Sequence, residues 1–191
     1  MSFFSETKNA GLVLLIIALL DIVFTVIAAF AFDPYKDSET WRKIVMILGA
    51  VVGSAVYAIL GLDIMNGKAR FEIGNLFSDL TSKFGVVVAI TAAFGLSSII
   101  SCILSAIAYA GGADIVSIII GILFILMAWL LADKDEDVRK VIWIILLVLY
   151  IIMLIFSIIA SLVLVGIPML LLSIFLVTFL LSPEVKGKCG M

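Results

Sequence analysis

The 191-residue sequence contains no histidine, only two cysteines and three prolines, and only 14% charged residues. Histidine is the usual general base of enzymes and the commonest metal ligand, so its absence argues against an enzyme and against a metal site. Cys102 lies inside a long apolar run and Cys189 lies in the last three residues, so we expect them at opposite ends of the topology, where they are poor disulfide partners. We therefore expect no catalytic residues, no metal and no cofactor.

The sequence also lacks an excess of positive charge, since its net charge is −2. Proteins that bind nucleic acids neutralise phosphates with a basic face of lysine and arginine side chains. The sequence shows no such face, which argues against a nucleic-acid partner.

What the chain does contain is apolar sequence, with 65% hydrophobic residues and a mean hydropathy of +1.38. A transmembrane helix needs about 20 mainly apolar residues. Six runs meet this requirement, at residues 11–32, 44–62, 85–110, 115–132, 141–160 and 163–181. Nothing of domain size lies between these runs. The sequence predicts a single all-α domain over residues 1–191, a polytopic membrane protein of six transmembrane helices arranged as three hairpins.

The boundary between the last two runs is set by length and by turn residues. Residues 141–181 are almost continuously apolar and about twice as long as one crossing requires, so the chain must turn within them. Gly166 permits a tight bend, and Pro168 suits the first turn of a helix, where its missing N–H costs nothing. We therefore expect the turn near residues 160–168.

Lysine and arginine residues are divided unequally between the two sides that a six-span topology creates. Basic residues of cytoplasmic loops outnumber those of the opposite side in most membrane proteins. Nine of the twelve fall on the side of both termini, and three fall in the first loop, namely Lys36, Arg42 and Lys43. We expect a multi-pass protein of the cell membrane whose N- and C-termini are cytoplasmic.

The loop between the second and third spans carries an apolar stripe with helical spacing. Ile73, Leu76, Phe77, Leu80 and Phe84 recur at intervals of three or four residues, and polar residues occupy the other positions. This pattern predicts an amphipathic helix over residues 71–82 that lies in the inner membrane interface. A linker helix that packs under the bundle is the simpler role, and lipid sensing or partner docking is the alternative.

Asp21 is the most informative polar residue, because it lies near the middle of the first span. A carboxylate at that depth is costly and normally faces other helices or a water-filled cavity. Counting along the spans places four residues at a depth similar to that of Asp21, namely Ser54, Ser98, Tyr150 and Ser173, with Tyr57 and Thr25 close by. We therefore predict an intramembrane polar site formed by Asp21, Thr25, Ser54, Tyr57 and Ser98. It is either a protonatable transport site or a hydrogen bond that holds helices together.

Small residues on the second and third spans predict where the helices pack. Gly49 and Gly53 form a Gly-x-x-x-Gly motif, and Gly95 and Ser105 lie on one face of the third span. Small side chains at this spacing let helix backbones approach closely in a membrane. A narrow polar path would have the same pattern, so these residues do not distinguish packing from transport.

Two hypotheses about function follow from these features. The first is a non-enzymatic structural or accessory helical bundle, since the loops are short and charge at membrane depth is scarce. The second is a small proton- or cation-coupled transporter or channel that uses Asp21. The expected partner in both is the lipid bilayer, with a homo-oligomer or a membrane complex left open. A water-accessible cavity that reaches Asp21 would favour transport, and a dry core would favour the structural role.

Overall fold

A computed structural model describes residues 3–31, 37–70, 76–109, 115–161 and 167–191. The regular structure in these ranges is helical throughout, as the composition predicts. A short 3-10 turn, Phe3–Ser5, precedes seven α-helices: α1 Thr7–Ala31, α2 Thr40–Asn66, α3 Lys83–Tyr109, α4 Ile115–Leu131, α5 Glu136–Ser161, α6 Ile167–Leu180 and α7 Pro183–Lys188.

Four of the described helices, α1, α2, α3 and α5, are long and apolar enough to cross a membrane. The protein is accordingly a helical membrane protein. The other two apolar helices are shorter, with 17 residues in α4 and 14 in α6. At 1.5 Å per residue they extend about 25 and 21 Å, less than the roughly 30 Å hydrocarbon core. Residues 110–114 and 162–166, which precede them, lie outside the described residues.

The helix boundaries differ from the predicted spans mainly where charged residues join a helix. α5 begins at Glu136, five residues before the predicted start at 141. The Asp135 carboxylate accepts hydrogen bonds from the backbone N–H groups of Asp137, at 2.9 Å, and Val138, at 3.4 Å, and so caps this helix. Glu136 and Asp137 also suit the positive end of the helix dipole. Pro168 lies in the first turn of α6, as predicted.

The predicted amphipathic helix over residues 71–82 is wrong for its described part, because residues 76–82 form bends rather than a helix. Residues 71–75 lie outside the described residues. The Asp79 side chain accepts hydrogen bonds from the backbone N–H groups of Thr81, at 3.3 Å, and Ser82, at 3.2 Å, and from both hydroxyls. Such local bonds offer the backbone an alternative to a helix. Leu80 is buried, and Leu76 and Phe77 pack against the core of the bundle.

The pKa of Asp79 is lowered from its usual value. Partial burial of this carboxyl acts to raise the pKa, but the hydrogen bonds from Ser82 and Thr81 and the nearby charge of Lys188 outweigh it. The Lys188 Nζ lies 3.7 Å from Asp79 Oδ2. The Asp79 carboxyl is therefore ionised at neutral pH, and its ion pair with Lys188 attaches the turn before α3 to the C-terminal helix α7.

Helix α7, which the sequence did not predict, closes the end of the bundle at which α1 begins and α2 ends; we call this the basal end. Glu184 of α7 accepts a hydrogen bond from the Lys83 N–H at the start of α3, at 3.0 Å. Arg139 of α5 donates to the carbonyl of Lys188, at 3.2 Å. The charged groups of Arg139 and Lys188 both lie over the ring of Phe84, 5.6 and 5.1 Å from its centre.

Packing is much tighter at the basal end than at the opposite, distal end. Ten consecutive residues of α3, 84–93, are buried. Six of the seven buried residues of α1 fall between positions 10 and 18, and beyond them only Ala29 is buried. The bundle is therefore closed at its basal half and more open in its distal half.

Glycine contacts bring the helices together at three crossings. At the α1–α2 crossing, a Cβ on either Gly11 or Gly61 would lie 2.6 Å from the backbone oxygen of the other. At the α3–α4 crossing, a Cβ on Gly95 would collide with the backbone oxygen of Gly121. Gly53 of α2 faces the Ser101 and Ser97 hydroxyls of α3, and Gly49 faces Leu104. Gly49, Gly53 and Gly95 thus lie at helix contacts, and the side chain of Ser105 lies outside the described part of the chain.

Candidate intramembrane polar site

The candidate site is built around Asp21, fourteen residues after the start of α1. At 1.5 Å per residue the carboxylate lies about 21 Å along a helix that is about 36 Å long. Its Oδ2 accepts a hydrogen bond of 2.7 Å from the hydroxyl of Ser54 on α2. Ser54 is 1% exposed, so this bond ties the carboxylate to the packed side of the bundle.

Asp21 itself is exposed, and it borders two cavities. We call the larger one the central cavity; it has a volume of about 320 Å³ and lies between α1, α2, α3 and α6. The smaller one, the distal cavity, has a volume of about 200 Å³ and lies between α1, α2 and α3. Asp21 and Ser101 line both cavities, so the two meet at the carboxylate. Asp21 therefore contacts a neighbouring helix through Ser54 and also borders the two cavities.

The walls of the central cavity combine hydroxyls with aromatic and aliphatic side chains: Ile17, Asp21, Phe24, Tyr57, Phe94, Ser97, Ser98, Ser101, Pro168, Met169 and Leu172. Asp21 is the single charged residue among these described lining residues. Neither cavity is lined by lysine or arginine in the part of the chain that the structure describes. The site is therefore electrostatically suited to a cation or a proton and unsuited to an anion.

The predicted site residues come together in different ways. Ser54 bonds Asp21 directly, Tyr57 and Ser98 share the central cavity with it, and Thr25 shares the distal cavity. The Ser98 hydroxyl donates to the Phe94 carbonyl at 2.8 Å, so its proton is directed away from Asp21.

The neighbours of Tyr57 were not among the predicted site residues. Its hydroxyl shares a side-chain hydrogen bond with Ser97. Ser97 in turn donates to the carbonyl of Gly53 at 3.3 Å. These contacts hold the Tyr57 and Ser97 hydroxyls together in the wall of the central cavity.

Three further polar side chains at membrane depth, those of Tyr150, Thr91 and Ser173, do not belong to the site. The Tyr150 hydroxyl lies 2.8 Å from the Thr91 hydroxyl, which lies 2.7 Å from the Val87 carbonyl, and both side chains are fully buried. Ser173 donates to the Met169 carbonyl at 2.8 Å. These contacts pair buried polar atoms within the bundle, and none of them includes Asp21.

Asp63, nearer the basal end of α2, forms a structural ion pair with Arg70. Its Oδ1 lies 3.0 Å from Arg70 Nε, and its Oδ2 accepts a bond of 2.8 Å from the Arg70 backbone N–H. The cavity beside Asp63 is small, about 160 Å³, and otherwise apolar in its lining.

No group of three or more acidic or cysteine residues in the described ranges could hold a metal ion. Comparisons with protein families, with curated proteins and with solved structures found no match to this chain.

Proposed function

We propose that this protein is a non-enzymatic carrier or channel that moves a proton or another cation across the cell membrane, with Asp21 as the binding group. The observation that supports it most is the pair of cavities that meet at an exposed carboxylate in the middle of α1. A carboxylate exposed to hydrocarbon would cost roughly 2.5–3.5 kcal/mol on insertion scales. We infer that the space beside this carboxylate and the neighbouring hydroxyls holds water instead, which removes the cost and opens a path for cations.

The asymmetry of the bundle fits such a role. The basal end is closed by buried side chains and by the Gly11–Gly61 crossing, while the central cavity lies around the middle of the bundle and the distal cavity lies beyond it. One closed end and one open end are what alternating access requires, since a carrier must not open on both sides at once.

The six-span arrangement with cytoplasmic termini belongs to this proposal. Two contacts support membrane positions for the short helices: α4 crosses the long helix α3 at Gly95 and Gly121, and Trp143 of α5 donates to the Leu180 carbonyl of α6 at 2.9 Å. The proposed orientation follows from the excess of basic residues on the side of the termini. It places the basal end in the cytoplasm and the cavities toward the outside.

A structural or accessory role is the second candidate, and the dense packing of residues 84–93 favours it. Under that role the Asp21–Ser54 hydrogen bond serves only to hold α1 against α2. The substitution Asp21→Asn separates the two functions, because an amide accepts the same hydrogen bond but cannot carry a negative charge or titrate.

In proteoliposomes we expect wild-type protein to conduct, and Asp21→Asn to fold normally but to lose cation flux. A pH-sensitive dye reports protons, and tracer sodium or potassium reports metal cations. Asp37→Asn, which removes a carboxylate in the exposed segment before α2, is the matched control and should conduct like wild type. Asp21→Leu should in addition lower stability by about 0.6–2 kcal/mol, because it leaves Ser54 unpaired.

The proposal fails if Asp21→Asn conducts as well as wild type. An absence of flux in both proteins, with a loss of stability in Asp21→Leu alone, would favour the structural role.

A further inference from the structure

The central cavity is larger and more aromatic than a proton or metal-ion site needs to be. A proton requires only a titrating group and a chain of hydrogen bonds, and a metal cation is held by several converging oxygen atoms. Here the hydroxyls of Ser97 and Ser98 are engaged with backbone carbonyls, and Tyr57 bonds Ser97. Most of the remaining wall is hydrocarbon. The volume of about 320 Å³ lies within the range of small-molecule pockets, roughly 300–1,000 Å³.

Three aromatic side chains line the cavity together with the one carboxylate. They are Phe24 of α1, Tyr57 of α2 and Phe94 of α3. Phe94 packs against Phe124 at a centroid distance of 4.8 Å and an interplanar angle of 66°, which restricts its orientation. Aromatic faces attract organic ammonium groups, and the attraction strengthens when the cation is desolvated.

We propose that the central cavity binds an organic ammonium ion with apolar substituents. Asp21 pairs with the ammonium group, the rings of Phe24, Tyr57 and Phe94 contact its alkyl groups, and Ile17, Met169 and Leu172 cover the apolar part. This inference rests on the proposed function and narrows its substrate from cations in general to lipophilic amines. The absence of lysine and arginine among the described lining residues agrees with a cationic ligand and excludes an acidic one.

Equilibrium dialysis with the full chain in lipid nanodiscs tests the site, with benzyltrimethylammonium as the probe and empty nanodiscs as the blank. We expect saturable binding of one ion per chain. Neopentylbenzene has the same shape with carbon in place of the charged nitrogen, so it should not displace the probe. Displacement by the neutral compound, or no saturable binding, would overturn the inference even if every variant failed to fold.

Variants then assign the contacts. Asp21→Asn should weaken binding at least about tenfold, since it removes the only charge in the described lining. Phe94→Leu should weaken it about threefold to tenfold, the range expected from the loss of one ring over a partly desolvated cation. Phe156→Leu is the matched control, because this phenylalanine of α5 is 68% exposed and away from the cavity, and it should bind like wild type. Equal binding by wild type, Asp21→Asn and Phe94→Leu would overturn the assignment.

The dialysis and flux measurements test the organic ligand and the transport function independently. Flux that depends on Asp21, without binding of benzyltrimethylammonium, would overturn the organic ligand and leave proton or metal-cation transport in place. Binding that depends on Asp21, without flux of benzyltrimethylammonium or of inorganic cations, would support the site and overturn transport.

Discussion

Gly85→Ala is expected to destabilise the protein more than an alanine at the other glycines of the described chain. A Cβ on Gly85 would collide with the carbonyl oxygen of Asp79. This contact is with backbone, in a turn held by four hydrogen bonds to the Asp79 side chain. The turn must therefore move away from α3, and the bonds of Ser82 and Lys188 to Asp79 are disturbed with it. We expect a loss at or above the upper end of the usual overpacking cost, about 1–3 kcal/mol.

Thermal unfolding in detergent, followed by circular dichroism, measures this effect. Gly187→Ala is the control, because no atom lies within 4 Å of a Cβ at that position in α7. Alanine is the better helix former by up to about 1 kcal/mol, so this control should be unchanged or slightly more stable. Equal melting temperatures for Gly85→Ala and wild type would contradict the described turn.

The second large effect is expected from Gly61→Ala, at the α1–α2 crossing. Its Cβ would lie 2.6 Å from the Gly11 carbonyl oxygen and 3.2 Å from side-chain carbons of Leu14 and Leu15. Because the nearest atom belongs to the backbone, the two helices must separate. We expect a destabilisation of about 1–3 kcal/mol and an opening of the basal end.

Gly49→Ala on the same helix provides the comparison. Its Cβ would lie 3.3 Å from the Leu104 Cβ, a contact that a small shift relieves. Both variants are compared by thermal unfolding and by proton leak in proteoliposomes. We expect a lower melting temperature and a higher leak in Gly61→Ala than in Gly49→Ala. The reverse order would show that the Gly11–Gly61 contact does not hold the basal end closed.

The sequence predicted the helical membrane class and the neighbourhood of Asp21, because both depend on hydrophobic length and on depth along a span. Counting residues gave Ser54, Tyr57 and Ser98 as candidate partners of Asp21, and the structure contains the hydrogen bond with Ser54, which lies 33 positions away. The same counting could not separate Tyr150 from Asp21, because depth alone does not say which helices are neighbours. Tyr150 pairs with Thr91 instead.

Features that depend on tertiary contacts were not predictable. The apolar stripe around Leu76 and Phe77 matched a helix, but the local hydrogen bonds of Asp79 prevailed over that pattern between residues 76 and 82. Gly11 and Gly61 form no motif with each other, since their pairing depends on how α1 and α2 cross. The sequence did not predict that Phe24 and Phe94 line the central cavity together with Asp21. In the sequence these two residues resemble ordinary lipid-facing phenylalanines.

The proposed transport requires water around Asp21 in the membrane, and thiol labelling detects that water. In a chain with Cys102 and Cys189 replaced by alanine, Ser101→Cys places a thiol between the two cavities. Ile103→Cys is the matched control, because this residue lies two positions along the same helix and is 47% exposed outside the cavity linings. In lipid vesicles, a charged methanethiosulfonate reagent should modify the thiol at position 101 and leave the thiol at position 103 unmodified, although both react after denaturation. A thiol at position 101 that resists the reagent as fully as the one at position 103 would show a dry site and contradict the transport account.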